Sequence, residues 1–114
     1  MHEASLVSAL LARVEREAAP RHAHVRRVEI DLGELAGVEA DLFASAWEVF
    51  RIDTCCDAAE LVIAREAARW QCPRCGGETA PGGFLRCPTC NVPAKLVAGG
   101  DVMLRRIEME VSDV

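Results

Sequence analysis

The sequence is poor in aromatic side chains, with three phenylalanines, two tryptophans and no tyrosine among its 114 residues. Hydrophobic residues nevertheless make up 51% of the chain, so a modest core is within reach. That core must be mainly aliphatic and rich in alanine. The length suits one domain, or one small domain that carries a smaller insert.

The chain also lacks an excess of positive charge, a long apolar run and a leader-like start. Its net charge of −5 disfavours general nucleic-acid binding, which needs a basic face. No apolar run is long enough to cross a bilayer, and no basic region precedes an apolar one as in a signal peptide. We therefore expect a cytoplasmic protein without nucleic-acid or membrane partners, in a compartment where thiols stay reduced.

Two stretches have the periodicity of amphipathic helices. Apolar residues recur at three- and four-residue intervals from about Ala4 to Ala19, and Pro20 ends this pattern. A second pattern of the same kind runs from about Glu39 to Ile52. The acidic residues at its start favour the positive end of a helix dipole.

Three stretches alternate apolar and polar residues, as half-buried strands do. They read RRVEIDLG, then AELVIARE and, late in the chain, VMLRRIEMEV. Together with the helices they predict an α/β fold in which two helices pack on a three-stranded mixed β-sheet. An inserted zinc-ribbon-like lobe precedes the last strand.

The predicted lobe, residues 70–100, has few apolar side chains, so hydrophobic burial alone cannot hold it together. It carries two cysteine pairs, Cys72 with Cys75 and Cys87 with Cys90, each with two residues between its members. Eleven residues separate the pairs. This spacing lets two tight turns present four thiolates to one metal ion, and four thiolates leave no open position. The pattern therefore indicates a structural zinc site.

Other interpretations of the cysteines stay open at this point. Two disulfides or a redox CxxC pair would use the same residues, and iron in a rubredoxin-like site would use similar turns. Cys55 and Cys56 are adjacent, so we expect their side chains to diverge. We interpret them as packing residues or plain free thiols, with a redox or metal role as the alternative.

The chain begins with Met1, His2 and Glu3. A terminal amine, one backbone amide and the imidazole of residue 2 can chelate a metal in fused rings, which suits Ni(II) or Cu(II). The following carboxylate lies within reach of such an ion. The same residues would also fit an ordinary solvated terminus. His22 and His24, in the loop after the first helix, are rival ligands or plain exposed residues.

Several motifs, taken together, resemble one family. They are the MHE start followed by Ser5 and Leu6, LGEL at Leu32 to Leu35, the helix LFASAWEVF, the pairs CPRCG and RCPTC, and the closing strand LRRIEMEV. In this combination and order, over essentially the whole chain, the sequence resembles the HypA/HybF nickel metallochaperones of hydrogenase maturation.

The resemblance implies a nickel-binding α/β domain, residues 1–69 plus 101–114, and a zinc-binding domain, residues 70–100. It implies delivery of nickel to the [NiFe]-hydrogenase large subunit together with a HypB-type nickel GTPase, and in some organisms service to urease. We expect a monomer or weak homodimer. The implied role is not that of an enzyme, and the sequence itself has no nucleophile–base constellation and no phosphate loop.

The resemblance also implies where the two metals bind. Ni(II), the transferred cargo, would be ligated through His2 and its backbone nitrogen, with Glu3 beside it. The Met1 amine is a further candidate ligand. Glu39 is a further possible nickel ligand. It stands in the turn before the second helix, where other members have aspartate and where an acidic residue is implicated in some of them. Zn(II), the structural cofactor, would be held by Cys72, Cys75, Cys87 and Cys90.

A competing hypothesis is a zinc-ribbon module that binds protein or nucleic acid and transfers no nickel. The predicted lobe is only mildly basic, with Arg74, Arg86 and Lys95 against Glu78. Salt-sensitive nucleic-acid binding would favour this module, whereas a red, iron-bound protein would indicate a rubredoxin-like electron carrier.

Overall fold

The computed structural model describes residues 2–79 and 85–111. Their strands form two three-stranded sheets, ordered β2-β1-β6 and β4-β3-β5. The predicted fold, two helices on a three-stranded mixed sheet with a zinc-ribbon-like lobe, is confirmed. The elements are α1 (His2–Ala18), a 3-10 turn (Ala19–Arg21), β1 (Ala23–Gly33), α2 (Ala40–Phe50), β2 (Glu60–Glu66), β3 (Arg69–Gln71), β4 (Glu78–Thr79), β5 (Lys95–Ala98) and β6 (Val102–Val111).

The chain divides into two compact units. The first unit is drawn from Met1–Asp31, Val38–Ala64 and Met103–Val114, and the second from Leu32–Gly37 and Arg65–Val102. The predicted domain boundaries at residues 69/70 and 100/101 stay a prediction. No helix among the described residues is both long and apolar enough to span a membrane.

The first unit is built around an apolar core. α1 begins at His2, two residues before the start that the apolar pattern marks. The pattern misses these residues because the first turn contains no buried side chain. The helix ends at Ala18, just before Pro20. His22 then closes the 3-10 turn in the left-handed conformation, with φ of 49°. The buried residues of this unit are Val7, Leu11, Val14, Ala18, Ala23, Val25, Val28, Ile30, Phe43, Trp47, Cys56 and Ala59.

α2 contributes the two largest side chains of this core. Phe43 and Trp47 lie one turn apart and are fully buried, and α2 packs against α1. The Trp47 indole N–H donates to the carbonyl of Ala59 at 3.3 Å, which satisfies its one polar atom. The helix ends at Phe50, two residues before the predicted end, because hydrogen-bonded turns take over from residue 51.

The alternation of buried and exposed side chains along β1 is interrupted in the middle of the strand. Ala23 and Val25 are buried, and the next buried residue is Val28, so the alternation slips by one position. The two arginines at the slip are exposed or half-buried and form ion pairs, Arg26 with Glu110 of β6 and Arg27 with Glu60 of β2. Polar partners in both neighbouring strands therefore accommodate the irregularity.

The second unit contains short strands that the sequence pattern did not predict. β3 pairs antiparallel with β4 and with β5, with a register shift between Arg69 and Trp70. Strands of two to four residues are too short to show a period of two. The LGEL segment belongs to this unit, where the Glu34 carboxylate accepts a hydrogen bond from the Ala68 N–H at 2.8 Å.

Gly33 and Gly99 permit a close approach of backbones in the second unit. The Gly33 N–H donates to the Asp101 carbonyl at 2.9 Å, and the Leu35 N–H donates to the Gly99 carbonyl at 2.8 Å. A Cβ atom on Gly33 would lie 2.4 Å from the Gly99 oxygen, so no larger residue fits without a shift of the backbone. These contacts fix the LGEL segment against the chain on both sides of the cysteine lobe.

Candidate metal centres

Four thiols meet in the second unit. The Sγ atoms of Cys72, Cys75, Cys87 and Cys90 all lie within 4.8 Å of one another, and those of Cys75 and Cys87 are 3.7 Å apart. A tetrahedral zinc site with Zn–S bonds of about 2.3 Å has sulfur–sulfur edges of about 3.8 Å. The cluster therefore has the size and ligand set of a closed four-thiolate site.

Each cysteine pair is held in a turn that aims backbone N–H groups at sulfur. The Cys72 Sγ accepts from the N–H groups of Arg74 at 3.3 Å and Cys75 at 3.4 Å, and the Cys87 Sγ accepts from the Cys90 N–H at 3.4 Å. Such donors stabilise thiolates over thiols. The turns are thus preorganised for a positive ion.

The two turns are closed by different residues in the same backbone conformation. Gly76 follows the first pair with φ of 77°, and Asn91 follows the second with φ of 53°. Each N–H donates at 2.9 Å to the carbonyl of the first cysteine of its pair. Asparagine is among the residues that best tolerate this region, so Asn91 can close its turn as Gly76 does.

The protonation of the thiols is unequal in the absence of a metal ion. The N–H of Cys75, followed by that of Arg74, lowers the pKa of the Cys72 thiol to about 7. The N–H of Cys90 likewise lowers the pKa of the Cys87 thiol. Desolvation, reinforced by the neighbouring sulfurs, raises the pKa of the Cys90 thiol to about 12. A divalent cation would supply the charge that lets all four thiols ionise.

The candidate nickel residues lie where the two helices begin. His2 and Glu3 form the start of α1, and the Glu3 Oε2 accepts a hydrogen bond from the Glu39 N–H at 3.3 Å. Glu39 is the N-cap residue of α2, and its own side chain makes no capping hydrogen bond. The structure thus brings Glu3 and Glu39 together across 36 residues of sequence. Met1 lies outside the described residues.

The electrostatics at this place favour an ionised Glu3. The hydrogen bond from the Glu39 N–H, followed by the backbone amide of Glu3 itself, lowers the pKa of the Glu3 carboxyl. Both donors belong to the starts of α-helices, where partial positive charge accumulates. Glu3 therefore carries its negative charge beside two helix N-termini.

The rival histidines lie elsewhere in the first unit. His22 and His24 follow the C-terminal end of α1, whereas His2 is its first residue, and a helix of 17 residues is roughly 25 Å long. All three histidine side chains are exposed. Within residues 2–79 and 85–111, the four cysteines are the only group of three or more potential ligands that lie close together.

The expectation that Cys55 and Cys56 diverge is wrong. Their Sγ atoms are 3.9 Å apart, because the chain turns sharply at this point and the Cys56 N–H donates to the Thr54 hydroxyl at 3.0 Å. Cys56 is fully buried, and desolvation, followed by the charge of Cys55, raises the pKa of its thiol to about 12. A buried neutral thiol of this kind packs as a small apolar residue.

Comparison with known proteins finds that this chain is similar to nickel-handling proteins. A family model described as hydrogenase/urease nickel incorporation, metallochaperone, HypA matches residues 1–109. The hydrogenase maturation factor HypA of Wolinella succinogenes is 42% identical over 99% of this chain and 98% of its own. That of Aquifex aeolicus is 33% identical over 97% and 99%.

Solved structures agree with the sequence comparison. The solution structure of the nickel metallochaperone HypA from Helicobacter pylori matches with a TM-score of 0.75 at 30% identity, covering 96% of this chain and 98% of that one. A second HypA solution structure gives a TM-score of 0.81 at 32% identity and covers 98% of both chains. The four-cysteine cluster is consistent with structural zinc. The chain belongs to the HypA family of metallochaperones for nickel incorporation into hydrogenase and urease.

Proposed function

We propose that this protein binds Ni(II) at its N-terminus and delivers it for [NiFe]-hydrogenase maturation. The contact between Glu3 and the backbone of Glu39 is the observation that carries the proposal, because it joins two candidate ligand positions from distant parts of the sequence. His2 would bind through its imidazole and its backbone nitrogen. The Met1 amine would complete the chelate.

The helical position of these residues is compatible with such a chelate. An α-helix has no i−4 acceptor for the amides of its first turn, so coordination through the His2 nitrogen would leave the helical ladder intact. The ionised Glu3 offsets the repulsion between a cation and the two helix N-termini. Glu39 would add a second carboxylate when its side chain turns towards the ion.

The balance of these forces suits temporary binding. Two positive helix ends weaken the site, whereas a carboxylate, an imidazole and a deprotonated amide strengthen it. A dissociation constant near the micromolar range corresponds to about −8 kcal/mol, and a much tighter site would release its ion too slowly for transfer. His2 is exposed, so an acceptor could approach it directly.

The cysteine cluster would serve a separate purpose. Cys72, Cys75, Cys87 and Cys90 would hold Zn(II) with no open position, so zinc would maintain the fold and not move with the cargo. Residues 70–100 would form the zinc-binding domain. The remaining residues, 1–69 plus 101–114, form the nickel-binding domain.

The partners follow from the same proposal. A HypB-type nickel GTPase and the [NiFe]-hydrogenase large subunit would receive the cargo, and urease maturation proteins would do so where urease is present. We infer that the protein acts by binding and transfer and not by catalysis, as a monomer or weak homodimer. Its place would be the cytoplasm, where free thiols persist.

The decisive experiment is a calorimetric nickel titration of the zinc-loaded protein. Wild type should bind one Ni(II), and His2→Ala should lose it while zinc content and circular dichroism stay unchanged. His22→Ala and His24→Ala are matched controls, because they remove exposed imidazoles at the other end of α1. Equal nickel binding by wild type and His2→Ala would refute the N-terminal site.

A further inference from the structure

α2 has a second apolar face that its own unit leaves uncovered. Leu42, Val49 and Phe50 are 51%, 62% and 40% exposed, although all are large and hydrophobic. Leu42 and Val49 stand seven residues apart and share one side of the helix over two turns, whereas Phe50 borders the buried face, three residues after Trp47. We call Leu42 and Val49 the outer stripe. It lies apart from Phe43 and Trp47, which fill the core.

The outer stripe stays largely outside the core of the first unit. Burial of a leucine or valine side chain stabilises a fold, so two such side chains that stay more than half exposed forgo part of that gain. A contiguous apolar surface with a polar rim is typical of a site where another molecule binds. The repeated spacing along one helix resembles the anchors of helix-in-groove recognition.

The rim of the outer stripe is acidic. Asp41 and Glu48 lie on the polar side of α2, and Asp53 follows the helix. Within the described part of the chain, only Glu48 of these three has an ion-pair partner, Arg51 at 2.7 Å. An acidic rim attracts a partner with lysine or arginine around its own apolar centre.

The charge also argues against a second copy of this chain as the occupant. Two outer stripes facing each other across a twofold axis would bring Asp41 and Asp53 of both copies together. Like charges at close range oppose association, and each chain already carries a net charge of −5. A basic-rimmed partner has no such cost.

The outer stripe begins close to the candidate nickel residues. Glu39, the N-cap of α2, is three residues before Leu42, and its N–H holds the Glu3 carboxylate. Three residues of helix advance by about 4.5 Å. A partner seated on the stripe would therefore lie beside His2 and Glu3.

We propose that the outer stripe of α2 is the docking surface for the nickel-accepting GTPase, and that this GTPase offers an apolar groove rimmed by basic side chains. The inference rests on the proposed function. In this arrangement the stripe supplies the affinity and the acidic rim orients the acceptor. His2 and Glu3 then release the ion across a short distance.

The test is the affinity of the zinc-loaded protein for a purified HypB-type GTPase from the same source, measured by calorimetry without nickel. The double variant Leu42→Asp/Val49→Asp should bind at least tenfold more weakly, since loss of anchor residues in an interface has effects of this size. Both sites are exposed, so the fold should persist. Met103→Asp, at an equally exposed apolar position of β6, should bind within about twofold of wild type.

A second arm tests the acidic rim. Asp41→Lys should weaken GTPase binding severalfold, and the affinity of wild type should fall as salt is added. Nickel titration of Leu42→Asp/Val49→Asp should match wild type, which separates docking from ion binding. If His2→Ala keeps its nickel, the proposed N-terminal site fails while the docking result still stands on its own affinity measurement.

Three results would overturn the docking proposal. The first is equal GTPase affinity for wild type and Leu42→Asp/Val49→Asp. The second is a concentration-dependent dimer of wild type that this variant abolishes, which would assign the stripe to a second copy. The third is failure of wild type to bind the GTPase, because the stripe would then have no acceptor of the proposed kind.

Discussion

The first unit buries large aliphatic and aromatic side chains from two helices and a sheet, whereas the second unit buries little besides cysteine. Of the three hydrophobic residues that are buried in the described part of the second unit, Cys72 and Cys87 are two, and Leu32 is the third. One region is therefore stabilised by removal of apolar surface from water and the other by sulfur atoms aimed at a shared ion. The same chain uses two different sources of folding free energy.

The metal centres follow the same division. The cysteine cluster is enclosed by backbone donors and ready for an ion that stays, and the candidate nickel residues lie exposed at a helix start. A site that retains its ion should be enclosed, whereas a site that releases its ion should be open to the acceptor. A protein that must do both benefits from keeping them in separate units.

The largest expected effect is that of zinc removal. Chelation should abolish the amide-exchange protection of β3 and β5, because metal binding contributes on the order of 10 kcal/mol or more to structural zinc sites. Protection in α1 and α2 should persist, since none of the four clustered cysteines belongs to their core. Hydrogen exchange with and without chelator measures both regions at once. Retained protection in β3 and β5 after chelation would contradict the idea that metal binding stabilises the second unit.

The converse change is Phe43→Ala in the first unit. Removal of this fully buried side chain should cost about 3–5 kcal/mol of unfolding free energy in a urea titration followed by circular dichroism. Zinc content in the absence of urea should stay at one ion per chain, because the cysteines fold around their metal independently of this core. Loss of zinc from the folded variant would show that the two regions depend on each other.

Alkaline pH should weaken the first unit through Cys56. Its folded pKa is raised to about 12 from an ordinary 9.0, so the folded thiol stays neutral while the unfolded thiol ionises. The stabilising contribution is therefore complete below about pH 9 and is lost as the pH rises towards 12. Urea midpoints of the zinc-loaded protein between about pH 8 and 11 should fall, and Cys56→Ala should flatten this slope. An unchanged slope in the variant would assign the effect to other groups.

The smallest effect concerns the turn after the second cysteine pair. Asn91→Ala should destabilise the zinc-loaded second unit by about 1–2 kcal/mol, because alanine is strained at a positive φ. Asn91→Gly is the matched control, since it removes the same side chain without the strain. The readout is the chelator concentration at half-release of zinc. Equal values for both variants would mean that the Asn91 Oδ1, which accepts a hydrogen bond from the Arg86 Nε–H at 3.4 Å, matters more than the backbone conformation.

Much of this molecule follows from sequence patterns, and the exceptions have physical reasons. The period of α1 and the spacing of Cys72, Cys75, Cys87 and Cys90 are local signals, so they predict a helix and a shared ion directly. β3 to β5 are too short to display a period. The proximity of the Cys55 and Cys56 thiols depends on a tight turn that adjacency alone does not reveal.

The contact between Glu3 and Glu39 illustrates another limit of sequence. Hydrogen bonding between residues 36 positions apart requires α1 and α2 to pack, and that packing is decided by Phe43, Trp47 and their neighbours. The outer stripe was likewise hidden, because Leu42 and Val49 look like core residues of an amphipathic helix. Only the fold separates the buried side of α2 from the exposed one.

The hydrogen bond between Glu3 and the N–H of Glu39 also carries a consequence for newly made chains. The first residues emerge from the ribosome long before the start of α2, so a nascent or unfolded chain carries His2 and Glu3 without this partner. The arrangement at the start of α1 is thus completed by folding and not by translation. A short peptide with the same first residues would lack it, and only a finished molecule would present the arrangement to an ion.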